Sequence, residues 1–261
     1  MPGLRSWLSG APPSVDELIP PKRVLPSYTR KGDFKRAGAG FLQMAVDNGL
    51  QPDHRVLDLG CGVGRFAVAL TEHLDPEGRY VGLDTSQEAI RICNEWIGAR
   101  VPGFVFLWAD VFNTNYNRSA GAKAAHYRFP FEEGAFDFVF SNSLFTHLVP
   151  GDARNYLHEI GRVLKPGGRT LNTIFLLNRE SLALVGNGRS RHGVLHEWED
   201  VARVKELDKP EAWIAFDEEF VRESHDQAGL GIDSVRYGAW SGRESTGPGF
   251  GKKDIVVAVK A

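Results

Sequence analysis

A glycine-rich stretch near residue 60 limits the fold more than any other part of the sequence. The apolar run Val56-Leu57-Asp58-Leu59 has the length and composition of a buried strand. Gly60, Gly62 and Gly64 follow at every second position, and apolar residues recur at helical spacing from Phe66. This order predicts a ligand-binding loop at the carboxyl end of a strand in an open α/β sheet, because glycines let a ligand approach bare backbone.

The spacing of the glycines and the acids around them indicate the kind of ligand. The loop reads G-x-G-x-G, whereas the dinucleotide fingerprint is G-x-G-x-x-G, so a nicotinamide oxidoreductase is disfavoured. Asp58 lies two residues before the first glycine and suits a cationic or hydroxyl-bearing ligand. Asp84 ends the next apolar run, where an acid can accept hydrogen bonds from ribose hydroxyls. Asp110 ends the third run and could accept from the exocyclic amine of an adenine.

Taken together, these residues resemble the class I S-adenosylmethionine-dependent methyltransferases. The loop is similar to the first motif of that family, Asp84 to its ribose acid and Ala109-Asp110 to its adenine-side motif. Two later runs resemble its fourth and fifth strand regions: Phe136-Asp137-Phe138-Val139-Phe140-Ser141 and Arg162-Val163-Leu164-Lys165-Pro166-Gly167-Gly168. The resemblance is close from about Leu42 to Phe175 and looser towards the C-terminus.

The resemblance implies a Rossmann-like fold: a seven-stranded, mostly parallel sheet with helices on both faces and a terminal antiparallel strand pair. It implies S-adenosyl-L-methionine as the cofactor. The residues expected to bind the cofactor lie on the loop and at the ends of the next strands: Asp58, Gly60, Cys61, Gly62, Gly64, Asp84, Thr85, Ala109, Asp110, Val111 and Asn142.

His147 is the candidate catalytic base. It follows the fourth strand at the edge of the sheet where reacting groups are expected, and imidazole can accept a proton at neutral pH. The alternative is a histidine that is hydrogen-bonded at the start of the next helix. Asp110, Asp137, His147 and Asp152 could be brought near a divalent metal, but their spacing is no recognised metal signature, so a metal is the less favoured case.

The ends and loops of the chain suggest how the acceptor is bound. We expect residues 1–33 to form an arm or lid over the site, and residues 34–261 to form one methyltransferase domain with acceptor-side insertions near 113–128 and 178–213. The alternatives are a floppy terminus and ordinary solvated loops. The candidate substrate contacts are Tyr28, Phe34, Tyr116 and Phe145.

Composition limits the classes of binding partner that we expect. The formal net charge of -2 provides no electrostatic footprint for nucleic acid or an anionic membrane, and no apolar run approaches the ~20 residues that span a bilayer. The two cysteines, Cys61 and Cys93, are too few for a disulfide framework and are expected to pack rather than react. We therefore expect a cytoplasmic protein with a small-molecule partner. A homodimer is compatible with the sequence, which does not fix the oligomeric state.

These observations favour an O-methyltransferase that acts on a hydroxyl of a small polar metabolite, with a saccharide preferred. A sequence of the Asn-Pro-Pro-Tyr type, which is typical of amino-group methylators in the same family, is absent. N-methylation of a small amine stays open, as does a non-catalytic module that only binds the cofactor.

Overall fold

The computed structural model describes residues 13–30, 32–114, 117–244 and 252–261. Within these ranges the chain forms eleven strands in two sheets. In chain order the strands are β1 (Arg55–Leu59), β2 (Arg79–Asp84), β3 (Phe104–Trp108), β4 (Phe136–Ser141), β5 (Leu164–Ile174), β6 (Leu176–Leu177), β7 (His196–Trp198), β8 (Ala202–Val204), β9 (Ile214–Asp217), β10 (Leu230–Arg236) and β11 (Asp254–Lys260).

Seven α-helices connect these strands within the same described ranges. They are α1 (Val15–Leu18), α2 (Phe34–Val46), α3 (Arg65–Leu70), α4 (Gln87–Cys93), α5 (Pro150–Val163), α6 (Arg179–Gly186) and α7 (Glu218–Gln227). A π-helical turn, Asn94–Gly98, prolongs α4.

The larger sheet has seven strands in the order β10-β11-β5-β4-β1-β2-β3. The five strands from β5 to β3 are parallel, while β11 runs antiparallel to both β5 and β10. The predicted seven-stranded sheet with a terminal antiparallel pair is thereby confirmed. After β1 the chain proceeds outwards to β2 and β3 and then returns to β4 on the other side of β1, so the strand order reverses between β1 and β4. Open α/β sheets bind ligands in the crevice at such a reversal.

Hydrophobic cores cover both faces of this sheet, as predicted. Along β1, Val56 packs into the core that includes Phe66 of α3, whereas Leu57 and Leu59 pack into the core that includes Ile160 of α5. Successive residues of a strand point to opposite faces, which explains why a nearly continuous apolar run is needed when both faces are covered.

Local sequence signals set several helix ends. The Ser86 hydroxyl accepts a hydrogen bond from the backbone N–H of Ala89 (3.2 Å) and caps α4. Pro150 occupies the first turn of α5. The Lys-Pro-Gly-Gly run after this helix predicts a turn followed by a strand from Arg169, but β5 begins at Leu164, because the run continues directly into the strand.

The smaller sheet was not predicted. Its order is β6-β9-β8-β7, and β6 starts two residues after β5 ends. Ala202, Val204, Ile214 and Phe216 are fully buried in the same core as α5, so this sheet extends that core. Its strands have two to four residues, which is too short for an alternating pattern to identify them. The residues from Phe216 to Ala228 have the pattern of one helix, but Phe216 lies on β9 and α7 begins at Glu218.

Residues 13–30 lie against the rest of the domain. Val15 and Leu18 of α1 are buried in the α3-side core, and the Arg100 guanidinium donates a hydrogen bond to the carbonyl of Glu17 (2.9 Å). The predicted arm at 1–33 is described only from residue 13, and residues 1–12 lie outside the described residues. A search of the described helices for one long and apolar enough to cross a membrane found none.

Candidate functional site

A cavity of about 280 Å³ opens at the carboxyl ends of β1, β2 and β4. Its wall has two parts. We call the part made by residues 58–62, 84–85, 109 and 111 the cofactor side, and the part made by Ser143, His147, Asp152 and Glu211 the acceptor side. The predicted cofactor residues that line the cavity are Asp58, Gly60, Cys61, Gly62, Asp84, Thr85, Ala109, Val111 and Asn142.

The three loop glycines share one backbone conformation, but Gly62 and Gly64 have different surroundings. All three have left-handed backbones, with φ of 74° at Gly60, 52° at Gly62 and 79° at Gly64. A Cβ at Gly62 would meet no atom within 4 Å, so this backbone faces open space. A Cβ at Gly64 would lie 2.5 Å from Cδ1 of Ile97. Gly64 therefore permits close helix packing and is not part of the cavity wall.

Asp84 fixes the loop to the second strand. One carboxylate oxygen accepts a hydrogen bond from the backbone N–H of Gly62 (2.7 Å), and the other accepts from that of Ser86 (2.7 Å). Burial raises the pKa of Asp84 above its ordinary value, while these backbone donors act in the opposite direction. Each carboxylate oxygen has a second lone pair, so Asp84 can still accept from a ligand hydroxyl.

Asp58 is a buried acid on the floor of the same side. The hydroxyl of Tyr80 donates a hydrogen bond to its carboxylate (2.8 Å). Burial raises the pKa of Asp58 to about 7, and the hydrogen bond from Tyr80 lowers it only in part. A cationic group bound beside Asp58 would favour the carboxylate form, which suits the ligand predicted from the sequence.

Two further predicted cofactor residues differ in placement. Asp110 is exposed and is not among the wall residues; its carboxylate accepts a hydrogen bond from the Asn117 side-chain amide (3.0 Å). Cys61 lines the cavity, and burial raises the pKa of its thiol well above the ordinary value. Thiols in this state are poor nucleophiles, which agrees with the expectation that Cys61 packs rather than reacts. Cys93 is fully buried.

His147 lies in the acceptor side, at the end of a 3-10 turn, Phe145–His147, that follows β4. Its Nδ1 lies 2.9 Å from the backbone carbonyl oxygen of Glu211. Because a carbonyl oxygen only accepts, this contact requires the proton on Nδ1 and leaves the Nε2 lone pair available. Burial lowers the pKa of His147, so the ring is neutral at pH 7.

Two carboxylates accompany His147 on the acceptor side. The Glu211 carboxylate accepts hydrogen bonds from the hydroxyl of Thr114 (2.6 Å) and from its backbone N–H (3.2 Å). Burial raises the pKa of Asp152 to about 6, and the nearby Glu211 carboxylate adds to this effect. The wall can therefore accept hydrogen bonds from a polar ligand at two acids and one imidazole.

A lysine from the C-terminal part of the chain also reaches this wall. Lys253 Nζ donates a hydrogen bond to the hydroxyl of Ser143, which has a left-handed backbone (φ 67°). The backbone N–H of Ser143 donates to the hydroxyl of Thr173 (2.8 Å). Burial lowers the pKa of Lys253 to about 8. Non-glycine residues rarely adopt this conformation, and such strain is often found at functional sites.

Neither Phe34 nor Phe145, the two predicted substrate contacts whose side chains the structure describes, lines the cavity. Phe145 is 1% exposed and lies in the core below the cavity, so the structure gives it no contact with the cavity space. Phe34 begins α2, and its ring packs against Arg65. Tyr28 lies in a 3-10 turn, Ser27–Thr29, but its side chain is outside the described part, as is Tyr116 as a whole.

The residues considered for a metal do not come together. Asp137 lies at the opposite end of β4, where its carboxylate accepts from Lys165 Nζ (2.6 Å) and from the backbone N–H of Arg55 (2.9 Å). In the part of the chain that the structure describes, no group of three or more His, Cys, Asp or Glu residues could hold a metal ion.

Sequence reasoning missed four polar residues at or beside the wall: Arg65, Asp152 as a wall acid, Glu211 and Lys253. Arg65 could have been found, because it directly follows the last glycine of the loop. Glu211 and Lys253 carry no local signal, since each reaches the wall from a segment far along the chain.

Comparisons with known proteins agree with the motif reading. Residues 56–168 match a family model described as a methyltransferase domain. Over 114 residues the chain is 35% identical to the phthiotriol/phenolphthiotriol dimycocerosates methyltransferase of Mycobacterium tuberculosis. That match covers 44% of this chain, which spans only 35% of the relative's length.

Solved structures show the same fold over most of the chain. The PH0226 protein from Pyrococcus horikoshii aligns with a TM-score of 0.59 and 19% identity, covering 92% of this chain and 97% of the other. A SAM-dependent methyltransferase from Aquifex aeolicus aligns with a TM-score of 0.55 and 18% identity, covering 88% and 94%. At these identities the likeness establishes the fold alone.

Proposed function

Because residues 56–168 match a family of methyltransferase domains, we propose that this protein uses S-adenosylmethionine to transfer a methyl group to a hydroxyl of a small polar metabolite. The favoured acceptor class is a saccharide. Since the chain spans about a third of the length of the M. tuberculosis relative, the activity and the acceptor both rest on the site itself.

The cavity has the features that a sulfonium nucleoside needs. S-adenosyl-L-methionine, the methyl donor of this class, supplies an activated methyl group. In our proposal Gly60 and Gly62 provide bare backbone beneath it, Asp84 accepts hydrogen bonds from the ribose, and Asp58 faces its cationic portion. The open space above Gly62 fits this assignment, because a side chain there would occupy the ligand volume.

The observation that carries the proposed O-methylation is the fixed tautomer of His147. A hydroxyl must lose its proton as it attacks, and a base within hydrogen-bond reach contributes roughly 10²–10⁴-fold to such a step. The Glu211 carbonyl holds the proton on Nδ1, so Nε2 can receive the hydroxyl proton. Asp152 and the Glu211 carboxylate accept hydrogen bonds from the remaining hydroxyls, so that the acceptor is held in one orientation.

A small amine is the second candidate acceptor. It is favoured by the same two carboxylates, because Asp152 and Glu211 place negative charge beside His147. An ammonium group must lose one proton before its nitrogen can attack the methyl group, and in this alternative Nε2 of His147 accepts that proton. The two candidates would use different properties of the wall. An amine would interact with the negative charge of the wall, and a saccharide with the hydrogen-bond acceptors of the wall.

The deciding experiment is a methyl-transfer screen with S-adenosyl-L-methionine carrying a labelled methyl group. The panel pairs each sugar with its amino sugar, for example glucose with glucosamine and galactose with galactosamine. Label on oxygen in both members of a pair supports the proposed function. Label on nitrogen in the amino sugar alone supports the amine alternative. Failure to bind S-adenosylhomocysteine would overturn both.

A further inference from the structure

Arg65 carries a positive charge in the cavity wall that none of the assignments above uses. It is the first residue of α3, directly after Gly64, and it is half-buried. Arg65, Gly60 and Gly62 line the same cavity. The charged groups on the cofactor side, Asp58 and Asp84, are acids.

The described residues leave this guanidinium only partly satisfied. Its Nη2 donates a hydrogen bond to the backbone carbonyl of Thr29 (2.6 Å), and its Cζ lies 5.9 Å from the centroid of the Phe34 ring. Its Nε is buried without a hydrogen-bond partner, and no described carboxylate forms an ion pair with it. Burial lowers the pKa of Arg65, which agrees with a cation that lacks a nearby negative charge.

A cation of this kind in a cavity wall calls for an anionic ligand. A guanidinium has five N–H donors, and the carbonyl of Thr29 uses one of them. Leaving the buried Nε–H unpaired is costly, whereas a carboxylate can accept two guanidinium donors at once.

We propose that Arg65 binds the carboxylate of the methionine portion of S-adenosyl-L-methionine. This inference rests on the proposed function and adds a residue to its cofactor site. The amino-acid end of the cofactor has one ammonium and one carboxylate, and the wall offers Asp58 for the first and Arg65 for the second. Through its N–H donors, among them Nε–H, Arg65 would position the methionine end of the cofactor and select ligands that carry a carboxylate.

The same guanidinium links the cofactor to the N-terminal segment. Thr29 lines the cavity, and its hydroxyl donates to the carbonyl of Pro26 (2.8 Å) while its own carbonyl accepts from Arg65. A bound carboxylate would hold the arginine in this orientation and thereby favour its hydrogen bond to Thr29.

The test compares three ligands by calorimetric titration. S-adenosylhomocysteine has both charged groups, S-adenosyl-3-thiopropylamine has the ammonium but no carboxylate, and 5′-methylthioadenosine has neither. We expect the unaltered protein to bind S-adenosylhomocysteine about 10- to 100-fold more tightly than the thiopropylamine. In Arg65→Met this ratio should fall to about one, and in Arg65→Lys it should be intermediate, because lysine keeps the charge without the two-donor geometry.

Control variants separate this role from a structural one. Arg91→Met removes an exposed arginine that pairs with Glu95 (3.2 Å) on α4, and it should leave all three affinities unchanged. If Arg65 only fixed the N-terminal segment, Arg65→Met would weaken the three ligands by the same factor, which would overturn the assignment. Equal affinity of the unaltered protein for the first two ligands would also overturn it. If the unaltered protein bound none of the three, the proposed cofactor would be overturned as well.

Discussion

The cofactor side of the cavity is held by contacts between neighbouring strands, whereas the acceptor side is held by contacts between distant segments. The loop is fixed by the hydrogen bond from Gly62 to Asp84, 22 residues away. On the acceptor side, His147 is oriented by Glu211 over 64 residues, Thr114 binds Glu211 over 97, and Lys253 binds Ser143 over 110.

This difference indicates how such a site can keep one ligand while changing the other. The strand, turn and helix that form the cofactor side are adjacent in sequence, so their geometry follows from a few glycines and acids. The acceptor side depends on the smaller sheet and on the turn that carries Glu211, which can be rebuilt without disturbing the loop. If this division holds, substitutions on one side should spare the function of the other.

The largest effect is expected on the acceptor side. His147→Ala should lower turnover of the acceptor found in the screen by about 10²–10⁴-fold, because the proton-accepting Nε2 is lost. Affinity for S-adenosylhomocysteine should stay within twofold when measured by calorimetry. His158→Ala, an exposed histidine on α5, is the matched control. Unchanged turnover in His147→Ala would remove the assignment of the base.

The second largest effect is expected on the cofactor side, in the pH dependence of the affinity for S-adenosylhomocysteine. The ligand-free protein keeps a proton on Asp58 up to about pH 7, whereas a bound ammonium favours the carboxylate. Affinity for S-adenosylhomocysteine should therefore weaken below pH 7 by up to about tenfold per pH unit and level off above it. Asp58→Asn should bind weakly with little pH dependence. Equal affinity of the unaltered protein at pH 5.5 and 8 would contradict this pairing.

A third pair of variants separates the roles of two glycines in one loop. Gly64→Ala forces a Cβ against Ile97 at a left-handed backbone, so we expect a loss of about 2–4 kcal/mol in the free energy of unfolding. Gly62→Ala meets only the backbone strain, about 1 kcal/mol, but its methyl group enters the cavity. Denaturant melts and ligand titrations should show Gly64→Ala mainly in stability and Gly62→Ala mainly in affinity. The reverse pattern would contradict the roles given to them.

The smallest effect is expected at Asp152, which lowers the free energy of unfolding at neutral pH. In the folded protein the pKa of Asp152 is about 6, above its ordinary value of 3.8, so its contribution favours folding at low pH and is lost as the pH rises through 6. Asp152→Asn should therefore stabilise the protein above pH 6, by about 1 kcal/mol after allowance for partial exposure, and not at pH 4. Thermal melts at pH 4.5 and 7.5 test this, with the exposed Asp226→Asn as control. An equal change at both pH values would count against it.

The sequence indicated which residues meet on the cofactor side because the signals there are local, and their binding of the cofactor stays a prediction. Asp58, Gly60, Gly62 and Asp84 are all found in or beside the cavity wall where the loop pattern placed them. The exceptions have local physical reasons as well. Gly64 is needed for helix packing, and a glycine required for packing has the same appearance in a sequence as one that a ligand approaches.

The acceptor side was predicted less completely. His147 was found from its place after β4, but the sequence could not show what fixes its tautomer, because the partner is a backbone carbonyl and any residue at position 211 would supply one. Phe145 was expected near the substrate and lies in the core, since neighbours in a 3-10 turn point in different directions. The smaller sheet gave no signal, because strands of two to four residues are too short for an alternating pattern.

The amino-acid sequence by itself determined the glycine loop and the acids beside it, because period and spacing act over a few residues, and the seven-stranded sheet followed from the family resemblance that these motifs carry. Tertiary structure alone decided which polar groups lie on the acceptor side and which tautomer His147 adopts. These depend on contacts across 64 to 110 residues, and such contacts form only when the sheets and helices have packed against one another.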